Sequence, residues 1–245
     1  MAVTLPQVAL LASPLLGPAT WSPTADALVD HGWRVLVAPR LAEAPHSPAT
    51  VLEHLLNCLP VGSALALVAH SNAGLYLPSL AAERSVVASV YADAALPAAN
   101  GATPLAPPAM QDFLKQLVDD DGLLPPWTDW WNEKELVSLL PDAATRAAVV
   151  AEQHRLPMTY FTATLEAPVG WTSKPAAYLA FGDTYAEDRA TALALGWPTA
   201  TITGRHLHQL HQPDVVAERI LALARQAGLK ATTNTGQRPP GSRGG

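Results

Sequence analysis

Short apolar runs recur along the chain, separated by stretches with helical spacing of apolar and polar positions. The runs Val8–Ala12, Trp33–Ala38, Ala64–Ala69, Val86–Ala92, Ala176–Phe181 and Thr199–Thr203 predict strands. Ala64–Ala69 is apolar without interruption, as in a strand buried on both faces. Strands that alternate with helical patterns predict a parallel sheet with right-handed crossovers. Between Pro97 and Pro175 the alternation stops, and helical patterns follow one another at Met110–Asp119, Glu133–Leu140 and Ala143–His154. Pro213 opens a last amphipathic helix. Residues 231–245 are polar, rich in Thr, Gly and Pro, and read as a disordered tail.

Two positions in this pattern carry candidate chemistry. The run from Ala64 reaches Ser71, flanked by small residues, and then turns helical. A serine on a tight strand-to-helix turn has the form of a nucleophile elbow, usually spelled Gly-x-Ser-x-Gly. Here Ala69 and Ala73 hold the glycine positions and Gly74 comes one place later. The alternative is that Ser71 merely caps a helix. His206 follows the strand at Thr199–Thr203 and precedes Pro213, where the last helix starts.

Serine first, histidine after the last strand and a terminal helix: this order resembles the α/β-hydrolase fold, from Gln7 to about Gly228. The resemblance implies a mostly parallel sheet of about six strands with flanking helices and a helical cap inserted after the fourth strand. Residues 1–96 and 176–230 then form the core and residues 97–175 the cap. The two antiparallel strands that usually begin this fold have no counterpart in the pattern. By the same resemblance Ser71 is the nucleophile and His206 the general base. The loop after the first strand, Ser13-Pro14-Leu15-Leu16-Gly17-Pro18, runs to Trp21 and supplies one oxyanion donor. Pro14 has no N–H, so the implied donors are Leu15 and Asn72, with Leu16 as the fallback. The common slot for the triad acid, three residues past Gly182, holds Tyr185. Another slot, the end of the preceding strand, holds Asp93, which is the first candidate; Asp183 is the second. Glu187 and Asp188 read as the acidic first turn of a helix.

Composition narrows the alternatives. Of 245 residues, 49% are apolar and 15% charged, which permits one domain with a large core. The net charge of −6, without a Lys/Arg cluster, argues against nucleic acid as a partner. Lone Cys58 cannot form an internal disulfide and reads as a buried core thiol. No basic region precedes the apolar stretch Val8–Leu16, which is too short for a membrane span, so a cytoplasmic protein is expected. The string His206, His208, His211 superficially resembles a zinc motif, but Leu210 stands where binuclear hydrolases expect an aspartate. No metal and no cofactor are expected, nor does a glycine-rich phosphate loop follow the first strand. Ser71 at the elbow disfavours the members of the fold that use an aspartate nucleophile. Trp127, Trp130 and Trp131, with Tyr185, are candidate lining for an apolar or aromatic substrate, or else packing residues. The expected function is hydrolysis of an ester, thioester or lactone of a mostly apolar small molecule. The alternatives are a cyclase, lyase or acyltransferase of the same fold, or a binding protein on its scaffold.

Overall fold

The computed structural model describes residues 3–4, 6–229 and 232–233. Its centre is a six-stranded sheet of β1 (Gln7–Leu11), β2 (Val35–Val37), β3 (Leu65–Ser71), β4 (Val86–Ala94), β5 (Ala176–Ala180) and β6 (Thr199–Thr201). The strands lie in the order β2-β1-β3-β4-β5-β6, and every neighbouring pair is parallel. The strand order reverses at β1, so the chain turns outward after β1 and the opposite way after β3. Such a switch point opens a crevice at the carboxyl edge of the sheet. The loop after β1, which holds Leu15, and the end of β3 at Ser71 border it.

Alternation along the central strands divides the core into two layers. Ala9, Leu11, Leu65, Leu67 and Ala69 pack with α2 (Pro48–Cys58), α3 (Leu77–Glu83) and the segment between β4 and β5. Val8, Leu10, Ala66 and Val68 pack on the opposite face, against α1 (Ser22–Asp30) and the C-terminal helix Pro213–Ala227. Both faces of the sheet are covered, which is why β3 reads as one apolar run.

The segment between β4 and β5 is mostly helical, with α4 (Pro108–Leu114), α5 (Glu133–Leu139), α6 (Ala143–Glu152) and α7 (Met158–Thr162). Asn132 opens α5 with a capping box and Asp142 caps α6. α4 stops well short of the expected Asp119. That carboxylate instead accepts from the N–H groups of Asp121 and Leu123, holding a turn that competes with the helix. An antiparallel ribbon, Ala102–Pro104 with Thr164–Glu166, closes the neck of the insertion. α7 and the ribbon are too short to leave a period in the sequence.

After β5, α8 (Ala186–Ala194) begins with Glu187 and Asp188 in its first turn, and α9 (Pro213–Ala227) closes the domain. The tail expected from 231 lies outside the described residues except for Thr232 and Thr233, which pair antiparallel with Val3 and Thr4. Cys58 is half-buried at the end of α2, beside His54, and not a core thiol. Among the described residues no helix is long and apolar enough to cross a membrane.

Gly74 explains the shifted glycine of the elbow. A side chain there would run into the carbonyl oxygen of Ala95 and press on Ala94 and Tyr91, all at or near the end of β4. Gly74→Ala should therefore lower stability by about 1–3 kcal/mol through overpacking. Urea unfolding measures this, and an unchanged midpoint would contradict the packing account.

Candidate active site

Two strand ends and the loop after β6, at the carboxyl edge of the sheet, bring Ser71, Asp93 and His206 together. Ser71 ends β3 at φ 57°, ψ −131°, a strained conformation for a residue with a side chain. Asp93 also has positive φ, 45°, a region that aspartate tolerates better than most residues. The register between β3 and β4 explains its position. His70 pairs with Ala92 and Ser71 with Ala94, so Asp93 is the extra residue of a bulge. A bulge re-aims a side chain that the regular pleat would send elsewhere.

Asp93 is wholly buried. Its Oδ1 accepts the Phe181 N–H at 3.0 Å, and its Oδ2 lies 2.7 Å from His206 Nδ1. The carboxylate accepts, so Nδ1 carries the proton and Nε2 is left as an acceptor. Nε2 lies 3.1 Å from Ser71 Oγ, in position to accept the serine proton. Asp183, by contrast, is 85% exposed and pairs with Arg189 at 3.2 Å.

His70 supports this arrangement from behind. Its Nε2–H donates to the His206 carbonyl at 2.8 Å, and the two rings lie 4.5 Å apart. Burial, and then the proximity of His206, push the His70 pKa well below its ordinary value. His70 thus stays neutral and adds no charge beside His206.

Asn72 joins the elbow to the insertion. Its Nδ2 donates to the Leu105 carbonyl at 2.8 Å, and its Oδ1 accepts from Tyr160 Oη at 2.8 Å. Tyr160 in turn accepts from Tyr76 at 2.8 Å. The Asn72 N–H heads the short helical turn after Ser71, where backbone donors have no intrahelical partner. In the β1 loop, Leu15 N–H donates to Ser13 Oγ at 3.3 Å. Leu16 N–H and Gly17 N–H donate to the Ser13 carbonyl at 3.0 and 3.1 Å.

Tyr185 touches the candidate nucleophile directly, its hydroxyl 3.1 Å from Ser71 Oγ. The ring is only half-buried, but the hydroxyl end lies inside the site, where burial raises its pKa well above the ordinary value. Trp127 and Trp130 are buried in the insertion, and Trp131 stacks on Phe113 with ring centroids 6.2 Å apart. The tryptophans belong to the same apolar layer as Tyr185. His208 packs over Gly204, and His211 bonds the Leu139 carbonyl of α5 at 2.9 Å. Among the described residues no three His, Cys, Asp or Glu side chains are grouped to hold a metal ion.

Comparison with family models gives no match, and neither does comparison with curated proteins. Solved structures do match. An extracellular α/β-hydrolase from a Paenibacillus species, described as sharing structural and functional homology with tobacco Salicylic Acid Binding Protein 2, is 16% identical. It aligns with TM-score 0.69 over 89% of this chain and 99% of its own. Polyneuridine aldehyde esterase aligns at 15% identity and TM-score 0.65, over 89% of this chain and 99% of the esterase. This chain has the α/β-hydrolase fold. A variant of tomato methylketone synthase I complexed with β-ketoheptanoate has the same fold, at 12% identity and TM-score 0.66 over 91% and 99%.

Within the α/β-hydrolase fold, sequence reasoning overlooked the Tyr76–Tyr160–Asn72 chain and the role of Ser13. Neither leaves a local signal, since each joins residues from separate elements or loop backbone. Tyr160→Phe removes the donor to Asn72 and the acceptor for Tyr76. It should cost about 1–3 kcal/mol, more than Tyr76→Phe, which breaks only one bond. Urea titration of both variants checks this; equal losses would contradict the two-bond role of Tyr160.

Proposed function

We propose that this chain is a serine hydrolase that cleaves an ester, thioester or lactone bond of a mostly apolar small molecule. The observation that carries the proposal is the continuous chain of hydrogen bonds from Asp93 through His206 to Ser71, at 2.7 and 3.1 Å. In this reading Ser71 attacks the carbonyl carbon while His206 Nε2 takes its proton. His206 then returns that proton to the leaving group, and water repeats the cycle on the acyl-enzyme. Asp93 holds the Nδ1–H tautomer and stabilises the imidazolium that forms. The Asn72 N–H donates to the oxyanion, while the Leu15 N–H, the other implied donor, is held by Ser13 Oγ. The aromatic residues of the insertion, with Tyr185, favour an apolar acyl or alcohol group.

A second reading is a non-hydrolytic enzyme of the fold, such as a cyclase, lyase or acyltransferase. It is favoured by the enclosure of Ser71, which is 5% exposed and lies against Tyr185. Reaction in oxygen-18 water separates the two readings: hydrolysis puts the label into the acid product, and the alternative chemistries do not.

Ser71→Ala should lower turnover of short acyl esters by several orders of magnitude. Asp93→Asn should cost about 10³–10⁴ in turnover, while Asp183→Asn leaves it unchanged. Full activity in Ser71→Ala would sink the hydrolase proposal; the reverse result for the two aspartates would move the acid. His208→Ala and EDTA are both expected to leave turnover of the esters in place.

A further inference from the structure

The β1 loop is short of donors for an oxyanion. Pro14 has no N–H, Leu15 N–H is engaged by Ser13 Oγ, and the next two N–H groups are spent on the Ser13 carbonyl. A tetrahedral adduct on Ser71 would therefore find no free N–H on Leu15, Leu16 or Gly17, and its backbone donors come from the turn that Asn72 heads. Preorganised donors are a large part of the rate in acyl transfer, so a missing one matters.

Proton accounting at Ser71 identifies the replacement. His206 Nδ1–H is committed to Asp93, so Nε2 accepts and the Ser71 hydroxyl proton points to it. The serine has a single proton. Toward Tyr185, 3.1 Å away, Ser71 Oγ must accept, and the phenol must donate. Burial keeps that phenol protonated.

We propose that Tyr185 is a further catalytic residue, which donates its O–H to the oxyanion in place of the Leu15 N–H that Ser13 Oγ engages. The proposal rests on the reading of Ser71 as nucleophile. On attack the serine proton passes to His206 Nε2, and a bond forms between Oγ and the carbonyl carbon. The carbonyl π pair moves to its oxygen, two bonds from Oγ. Oγ, now bonded to carbon, becomes a poor acceptor. The Tyr185 O–H turns to the adjacent negative oxygen without transferring its proton, and returns to Oγ when Ser71 is freed.

The test follows the second-order rate at which an alkyl fluorophosphonate modifies Ser71, since its P=O oxygen takes the oxyanion position. Tyr185→Phe should slow modification by about 10²–10³-fold, the usual effect of deleting one oxyanion donor. An unchanged or faster rate would overturn the proposal and leave the Ser71 reading intact. If the wild-type chain is not modified at Ser71, the nucleophile reading fails with it. A chain with 3-fluorotyrosine at position 185 keeps the hydroxyl and packing but has a more acidic phenol. The fluorinated phenol is the stronger donor, so at neutral pH this chain should be modified at least as fast as the wild type. A rate below that of the wild type would overturn the proposal even if the phenylalanine variant does not fold.

Discussion

The buried carboxylate of Asp93 is the constraint on which the site depends. A charge taken out of water is expensive unless its oxygens are satisfied, and removing one partner of such a pair leaves an uncompensated ion. Here one oxygen is held by the Phe181 N–H after β5 and the other by His206 after β6. Three adjacent strand ends must therefore stay in register for the carboxylate to be accommodated. The bulge that displaces Asp93 from the β3–β4 ladder, and its left-handed backbone, are the local expense of that arrangement.

A second set of bonds couples this edge to the helical insertion. Asn72 reaches Leu105 and Tyr160, so the residue after the elbow is held by the neck of the insertion and by α7. On the far side, Glu152 at the end of α6 accepts the Ala19 N–H at 2.5 Å. Arg40 donates to the Ala151 carbonyl at 3.1 Å, and His154 Nε2 bonds the Leu41 carbonyl at 2.9 Å. The insertion thus rests on the loops after β1 and β2 as well as on the elbow.

The sheet was legible because each strand is a separate apolar run, and a parallel sheet buried on both faces requires such runs. Ser71 and His206 were legible because strand ends and a following helix fix their places in the chain. Asp93 could be singled out as a charge closing a buried strand, but the bulge that aims it could not, since register belongs to two strands at once. Tyr185 occupies the expected acid slot, and its sequence context does not reveal that it touches Ser71 while Asp93 reaches His206. The insertion's helix ends moved where a side chain such as Asp119 bonded the backbone of its own turn. Its ribbon and α7 were invisible because a three- or five-residue element has no period to detect.

In the proposed triad Asp93 fixes His206 as the Nδ1–H tautomer, leaving Nε2 to receive the Ser71 proton. Nitrogen-15 NMR of the histidine rings, with His206 assigned by its loss in His206→Ala, reads that tautomer directly. In the wild-type chain at neutral pH Nδ1 should be protonated and Nε2 unprotonated, with the preference lost in Asp93→Asn. A wild-type His206 protonated on Nε2, or a tautomer unaffected by Asp93→Asn, would contradict this assignment.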